Sequence, residues 1–150
     1  MKKKYLVTGG SGFIGSALVK GLLREGHSVR VFDNNSRGNL RRLESVIDQI
    51  EFVEGDIREP NQVLEACKGV DAVCHLAFVN GTKFFYELPE LVLEVGVKGM
   101  INILDACIAH NIEDLILASS SEVYQSPAEV PTSENVPLIV PDLQNPRYSY

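Results

Sequence analysis

Apolar and polar positions switch between two periods along this chain. Tyr5-Leu6-Val7-Thr8 is a short, continuously apolar run that ends on glycines, the pattern of a buried strand. From Gly12 to Arg24, Phe13, Ile14, Ala17, Leu18, Leu22 and Leu23 recur at helical spacing, and Gly26 stops the helix. Ser28 to Phe32 predicts a second strand, then a loop at Asn34, Asn35, Ser36 and Gly38, and a short helix over 40–47. Ile50 to Val53 predicts a third strand ending at Gly55-Asp56, and Pro60 opens a helix that runs to Cys67. A fourth strand follows at Val70 to Leu76. A long helix over about 89–110 carries Leu91, Val95, Ile101, Leu104 and Ile108 on its expected buried side. Leu115 to Ala118 predicts a fifth strand. Pro127, Pro131, Pro137, Pro141 and Pro146 make 126–146 an extended loop.

Strands that are apolar throughout, alternating with helices, predict an α/β protein whose parallel sheet is covered on both faces. Right-handed crossovers then favour a doubly wound (Rossmann) sheet of strand order 3-2-1-4-5. Such sheets bind ligands at the carboxyl ends of their strands, near the switch point between strands one and four. The 150 residues fit one domain, 1–150.

The predicted first strand runs into Gly9-Gly10-Ser11-Gly12-Phe13-Ile14-Gly15, which places Gly9, Gly12 and Gly15 in a GxxGxxG spacing between a strand and a helix. One glycine permits the tight turn, the next lets backbone approach a pyrophosphate, and the third lets the helix pack closely. The helix start, with Phe13 and Ile14, offers free N–H groups and a positive dipole end to phosphates. A glycine triplet alone is only a tight turn; the strand before and the helix after make it a dinucleotide loop. Asp33 closes the second strand about 20 residues further on, where a carboxylate accepts from ribose hydroxyls and repels a 2′-phosphate. Asp33, with Asn34 beside it, therefore predicts NAD rather than NADP. Arg37 could take a 2′-phosphate, and is read instead as a solvated charge. Asp56 can accept from the adenine amino group, Ile57 can pack on its ring, and Leu76 and Ala77 should run beside the cofactor. His75 is read as a structural histidine.

The formal net charge of −6 argues against nucleic acid as a partner, since such a binder needs a basic face. No apolar run approaches a membrane span, and the apolar stretch behind Lys2, Lys3 and Lys4 breaks at Gly9. Cys67, Cys74 and Cys107 form no CxxC pair, so they predict buried thiols in a cytoplasmic protein, with no metal site.

Candidate chemistry gathers at the end of the fifth strand, in Ser119-Ser120-Ser121-Glu122-Val123-Tyr124, and downstream in Pro146-Arg147-Tyr148-Ser149-Tyr150. A serine can orient a substrate hydroxyl while a tyrosine takes its proton and a hydride leaves for NAD. Thr8 to Ser16, Asp33, Gly55-Asp56-Ile57, His75-Leu76-Ala77 and Ser119 to Tyr124 together resemble the N-terminal part of the extended short-chain dehydrogenase/reductase family. Within it, they look like the NAD-dependent nucleotide-sugar epimerase/dehydratase branch. The resemblance implies Ser120 as the catalytic serine and a tyrosine from a Tyr-x-x-x-Lys motif. Tyr150 is favoured over Tyr148 by the Pro-Arg-x-x-Tyr spacing of nucleotide-sugar decarboxylases, and Glu122 is implied as an additional acid/base. Ser121 replaces the Asp usual in dehydratases, Gly96 replaces a frequent Asn, Met100 a usual Thr, and Gln125 a Gly. The resemblance further implies that the motif's lysine and a C-terminal substrate domain lie past residue 150. It implies a nucleotide-sugar substrate and a homodimer built on the long helix. The 150 residues alone are then expected to bind NAD and turn over nothing. The alternatives are an NADP-dependent reductase of the same fold and a non-catalytic dinucleotide sensor.

Overall fold

The computed structural model describes residues 1–139, 142, 144 and 145. Five strands form one parallel sheet: β1 (Lys4–Thr8), β2 (Ser28–Asp33), β3 (Ile50–Glu54), β4 (Ala72–His75) and β5 (Asp114–Leu117). Their spatial order is β3-β2-β1-β4-β5, as the alternation of strands and helices predicts. All strands run the same way, but the order in which strands are added reverses at the β1/β4 boundary, and Thr8 stands level with both Phe32 and His75 at the carboxyl edge.

Side chains alternate across the sheet, which splits the core in two. Leu6, Phe32 and Val73 pack on one face with Val63, Cys67, Ile103 and Cys107, contributed by α2 (Pro60–Cys67) and α5 (Gly99–Ala109). Val7, Val29, Val31 and Cys74 pack on the other with Val19 of α1 (Phe13–Arg24) and Leu43. Both faces of β1, β2 and β4 are thus buried, which is why these strands are predominantly apolar; β2 also buries Arg30, whose Nη1 donates to the Ala66 and Lys68 carbonyl oxygens.

Three expectations need correction. The segment expected as a short helix is a run of 3₁₀ turns over Leu40–Gln49 that buries only Leu43. A helix absent from the sequence reading, α3 (Thr82–Glu87), follows β4; its aromatic cluster Phe84-Phe85-Tyr86 has no helical period. The long helix is present as α4 (Pro89–Leu93), a π-helical turn (Glu94–Lys98) and α5. α5 buries Gly99, Ile103, Ala106 and Cys107, which continue the face of Val92 and Val95 at ordinary helical spacing. Ile101, Leu104 and Ile108, expected inside, are 51 %, 41 % and 74 % exposed.

Candidate functional site

The loops leaving β1, β2, β3 and β4 meet in a cleft at the carboxyl edge of the sheet. Gly9 and Gly12 line it from β1, Asp33 to Gly38 from β2, Gly55 to Ile57 from β3, and Leu76 to Val79 from β4. Val95 of the π-helical turn closes the far wall.

The glycines are required by contact. Gly9 turns the chain with φ of +70°, and a Cβ there would lie 2.9 Å from the Ala77 nitrogen. A Cβ on Gly15 would lie 2.2 Å from the Gly9 carbonyl oxygen, so the first turn of α1 sits directly on the loop. Gly12 caps α1 with no side-chain hydrogen bond, which leaves the first N–H groups of the helix available to an anion. The side chains of Phe13 and Ile14 are 84 % and 69 % exposed and do not line the cleft; what they offer a ligand is backbone N–H.

Asp33 is buried, and its carboxylate ties the β1 and β2 loops together. Oδ2 accepts from the Ser11 amide at 3.0 Å and Oδ1 from the Asn35 amide at 2.9 Å. A carboxylate oxygen has two lone pairs, so each still has one to offer. Ser11 organises the neighbouring loop as well: its hydroxyl donates to Asn35 Oδ1, and its carbonyl accepts from the Asn39 amide and the Arg42 guanidinium. Gly38 lies against it, with a Cβ position only 1.7 Å from Ser11 Oγ.

Asp56 lines the cleft and is already engaged. Arg58 donates to it from its amide, Nε and Nη2, and Asn34 Nδ2 adds a contact at 3.3 Å. The Arg58 guanidinium holds this carboxyl well below the usual carboxylate range, at about 2, and is itself held more firmly charged by Asp56. Arg58 also reaches Glu94 on the π-helical turn. Ile57 is 5 % exposed; it belongs to the core and seats on Gly99.

Beneath the cleft, Thr8 and His75 form a buried pair with Oγ1 and Nδ1 2.7 Å apart. Thr8 Oγ1 also accepts from the amides of Leu76 and Ala77, at 3.2 Å each. Both lone pairs are then used, so the hydroxyl hydrogen goes to Nδ1, and His75 is neutral with its proton on Nε2. Burial agrees, pushing its pKa down to about 4.

At the next strand, Ser120 caps a 3₁₀ turn (Ser121–Tyr124), its Oγ accepting from the Glu122 amide at 3.2 Å. Ser120 and Glu122 are half-buried and lie beyond the lining of the cleft, on the β5 side of the same edge. Tyr148 and Tyr150 fall outside the described residues. Among the described residues, no group of His, Cys, Asp and Glu could hold a metal ion, and no helix is long and apolar enough to cross a membrane.

The sequence reading found neither Arg58, Ser11 nor the Thr8 hydroxyl. Arg58 had a signal, because Asp followed two residues on by a charged donor is an Asx turn that can close on itself. Ser11 had none, since most of its bonds run through its backbone and its hydroxyl reaches a partner 24 residues away.

The site has known counterparts. Residues 5–150 match the sequence model of the NAD dependent epimerase/dehydratase family. The chain is 37 % identical over 124 residues to a UDP-N-acetyl-alpha-D-glucosaminuronate decarboxylase of Bacillus cytotoxicus, covering 83 % of this chain and 38 % of that one. It is 33 % identical over 134 residues to a UDP-glucose 4-epimerase of Corynebacterium glutamicum, covering 89 % and 40 %. The UDP-glucose 4-epimerase of Brucella ovis, solved in complex with NAD, superposes with a TM-score of 0.83 at 31 % identity, over 91 % of this chain and 42 % of that one. The Thermus thermophilus enzyme, also complexed with NAD, gives 0.83 at 31 %, over 97 % and 46 %. The chain thus spans about two-fifths of the length of these relatives. The dinucleotide expected from the glycine loop and Asp33 is the one those structures hold. From its cleft, its sheet order and the match along nearly its whole length, the chain belongs to the NAD dependent epimerase/dehydratase family.

Proposed function

We propose that residues 1–150 form the NAD-binding domain of an enzyme that acts on a nucleotide sugar. The observation that carries the reading is the cleft at the β1/β4 switch point, lined by the half-buried glycine backbone of Gly9 and Gly12 and by a carboxylate fixed in place. Gly9, Gly12, Gly15 and the start of α1 would hold the diphosphate, and Asp33 with Asn34 the adenosine ribose. Asp56 and Ile57 would border the adenine, and Leu76 and Ala77 would form the floor. When bound, NAD supplies reversible oxidation at the carbon bearing a sugar hydroxyl.

The chain's own residues would handle the proton. Ser120 Oγ uses a lone pair on the Glu122 amide and keeps its hydrogen for a substrate oxygen. Tyr150 would take the proton from the sugar hydroxyl, and Glu122 would serve as a further acid/base. The exposed apolar stripe of Leu93, Val97, Ile101, Leu104 and Ile108 supports a homodimer in the intact protein, to be checked by sedimentation. Three buried free thiols support a cytoplasmic location.

The intact protein should be incubated with UDP-glucose and, separately, with the uronate UDP-N-acetylglucosaminuronate, and the products read by proton NMR. Inversion of one sugar centre would mark an epimerase and loss of carbon dioxide a decarboxylase. No change in either nucleotide sugar would count against this substrate class for the site.

A further inference from the structure

The cleft has one cation among its described lining residues, Arg37, and the described ion pairs include none between it and Asp33. The carbon Cζ lies 5.5 Å from the centroid of the Phe84 ring on α3, within reach of a cation–π contact. Both Asp33 oxygens accept instead from the Ser11 and Asn35 amides. Nη1 passes beside Gly81, where a Cβ would stand 3.7 Å away and the backbone φ is +132°. The neighbouring guanidinium groups are committed elsewhere: Arg58 to Asp56 and Glu94, and Arg42 to the Ser11 carbonyl. The loop that carries Arg37 is itself fixed, through Gly38 and Asn39 against Ser11. The side chain of Arg37 is therefore what decides whether a positive charge stands beside the ribose bound at Asp33.

We propose that Phe84 determines cofactor specificity, by holding the Arg37 guanidinium across the cleft and away from the position of a ribose 2′-phosphate. This inference rests on the reading of the cleft as a dinucleotide site. Asp33 disfavours the 2′-phosphate by charge, and Phe84 withholds the one cation that could compensate. A dinucleotide carrying that phosphate must first break the contact between Arg37 and Phe84.

The test is a competition titration of NAD and NADP on the intact protein and on Phe84→Ala, Phe84→Leu, Arg37→Ala and the double variant Arg37→Ala/Phe84→Ala. Phe84→Leu keeps apolar bulk without the ring face, so it serves if the alanine disturbs α3. Both Phe84 variants should raise NADP affinity relative to NAD by about two- to five-fold, the equivalent of one exposed cation–π contact. The double variant should lose that gain, and Arg37→Ala alone should leave the ratio near wild type. An unchanged ratio in both Phe84 variants, or the same gain without Arg37, would overturn the proposal while NAD binding stands. Failure of the wild type to bind either dinucleotide would remove the dinucleotide reading itself, and this proposal with it.

Discussion

The β1–β2 side of the cleft and the β5 side share one sheet edge but are built differently. On the β1–β2 side, Thr8, Ser11 and Asp33 are buried, and each makes two or more hydrogen bonds to neighbouring loops. On the β5 side, Ile116 and Leu117 are 60 % and 53 % exposed, and the Ser120 hydroxyl is bonded only within its own turn among the contacts described for it. The first side sets its geometry with its own residues, as a rigid ligand site requires. The second carries its serine just past β5, on the short turn that the serine itself caps. Cofactor grip and chemistry should therefore respond to different substitutions.

The largest separation should come from Gly15→Val. Its Cβ would collide with backbone at 2.2 Å, so NAD affinity should fall by about a thousand-fold or more, as read by calorimetry. Ser120→Ala should do the reverse: turnover by the intact protein should drop by about 10²- to 10⁴-fold, with NAD affinity within about two-fold of wild type. Loss of NAD affinity in that variant would merge the two sides. Asp33→Ala leaves the Ser11 and Asn35 amides without their acceptor, which costs about 1–3 kcal/mol per buried group. A fall in NAD affinity of about 10- to 100-fold is expected.

The Thr8–His75 pair predicts a pH dependence with a definite sign. His75 carries its ordinary value of 6.5 in the unfolded chain and about 4 in the folded one, so the unfolded state binds the proton first as pH falls. Stability should be full above about 6.5, decline towards pH 4 by roughly 3 kcal/mol at most, and then level as far as this group is concerned. Denaturant titrations across that range, on wild type and on His75→Gln, isolate the contribution. Nitrogen-15 NMR should find the His75 proton on Nε2; a proton on Nδ1 would contradict the bonding assigned to Thr8.

The smallest effect should come from Arg58→Ala. Asp56 then loses the partner that holds it near 2 and returns towards 3.8. Its depressed value lends stability above pH 3.8 that is lost as pH falls towards 2, so the variant should be weaker only above that window. Both side chains are partly exposed, at 30 % and 21 %, so the loss should stay under about 1 kcal/mol.

Sequence legibility followed the same division. Strand order could be read because both faces of β1, β2 and β4 are buried, and Gly9, Gly15 and Asp33 because backbone contact and chain reversal demand those residue types. The buried face of α5 is hidden in the sequence because the helix is apolar on both sides: Gly99, Ile103 and Ala106 continue the Val95 face, while Ile101, Leu104 and Ile108 form an exposed one. The path of Arg37 was equally hidden: a solvated charge and a guanidinium stacked on Phe84 look alike until α3 is placed. Ser120 and Glu122 were legible by resemblance, yet their bonding describes a capped turn, and their chemistry stays a proposal.

The central claim is that this chain grips NAD through a carboxylate fixed by its own glycine loop. Calorimetric titration of NAD into wild type and Asp33→Ala tests it directly. Saturable binding of one NAD per chain, weakened about 10- to 100-fold in the variant, is the predicted result. No saturable binding, or equal affinity in the two proteins, would contradict it.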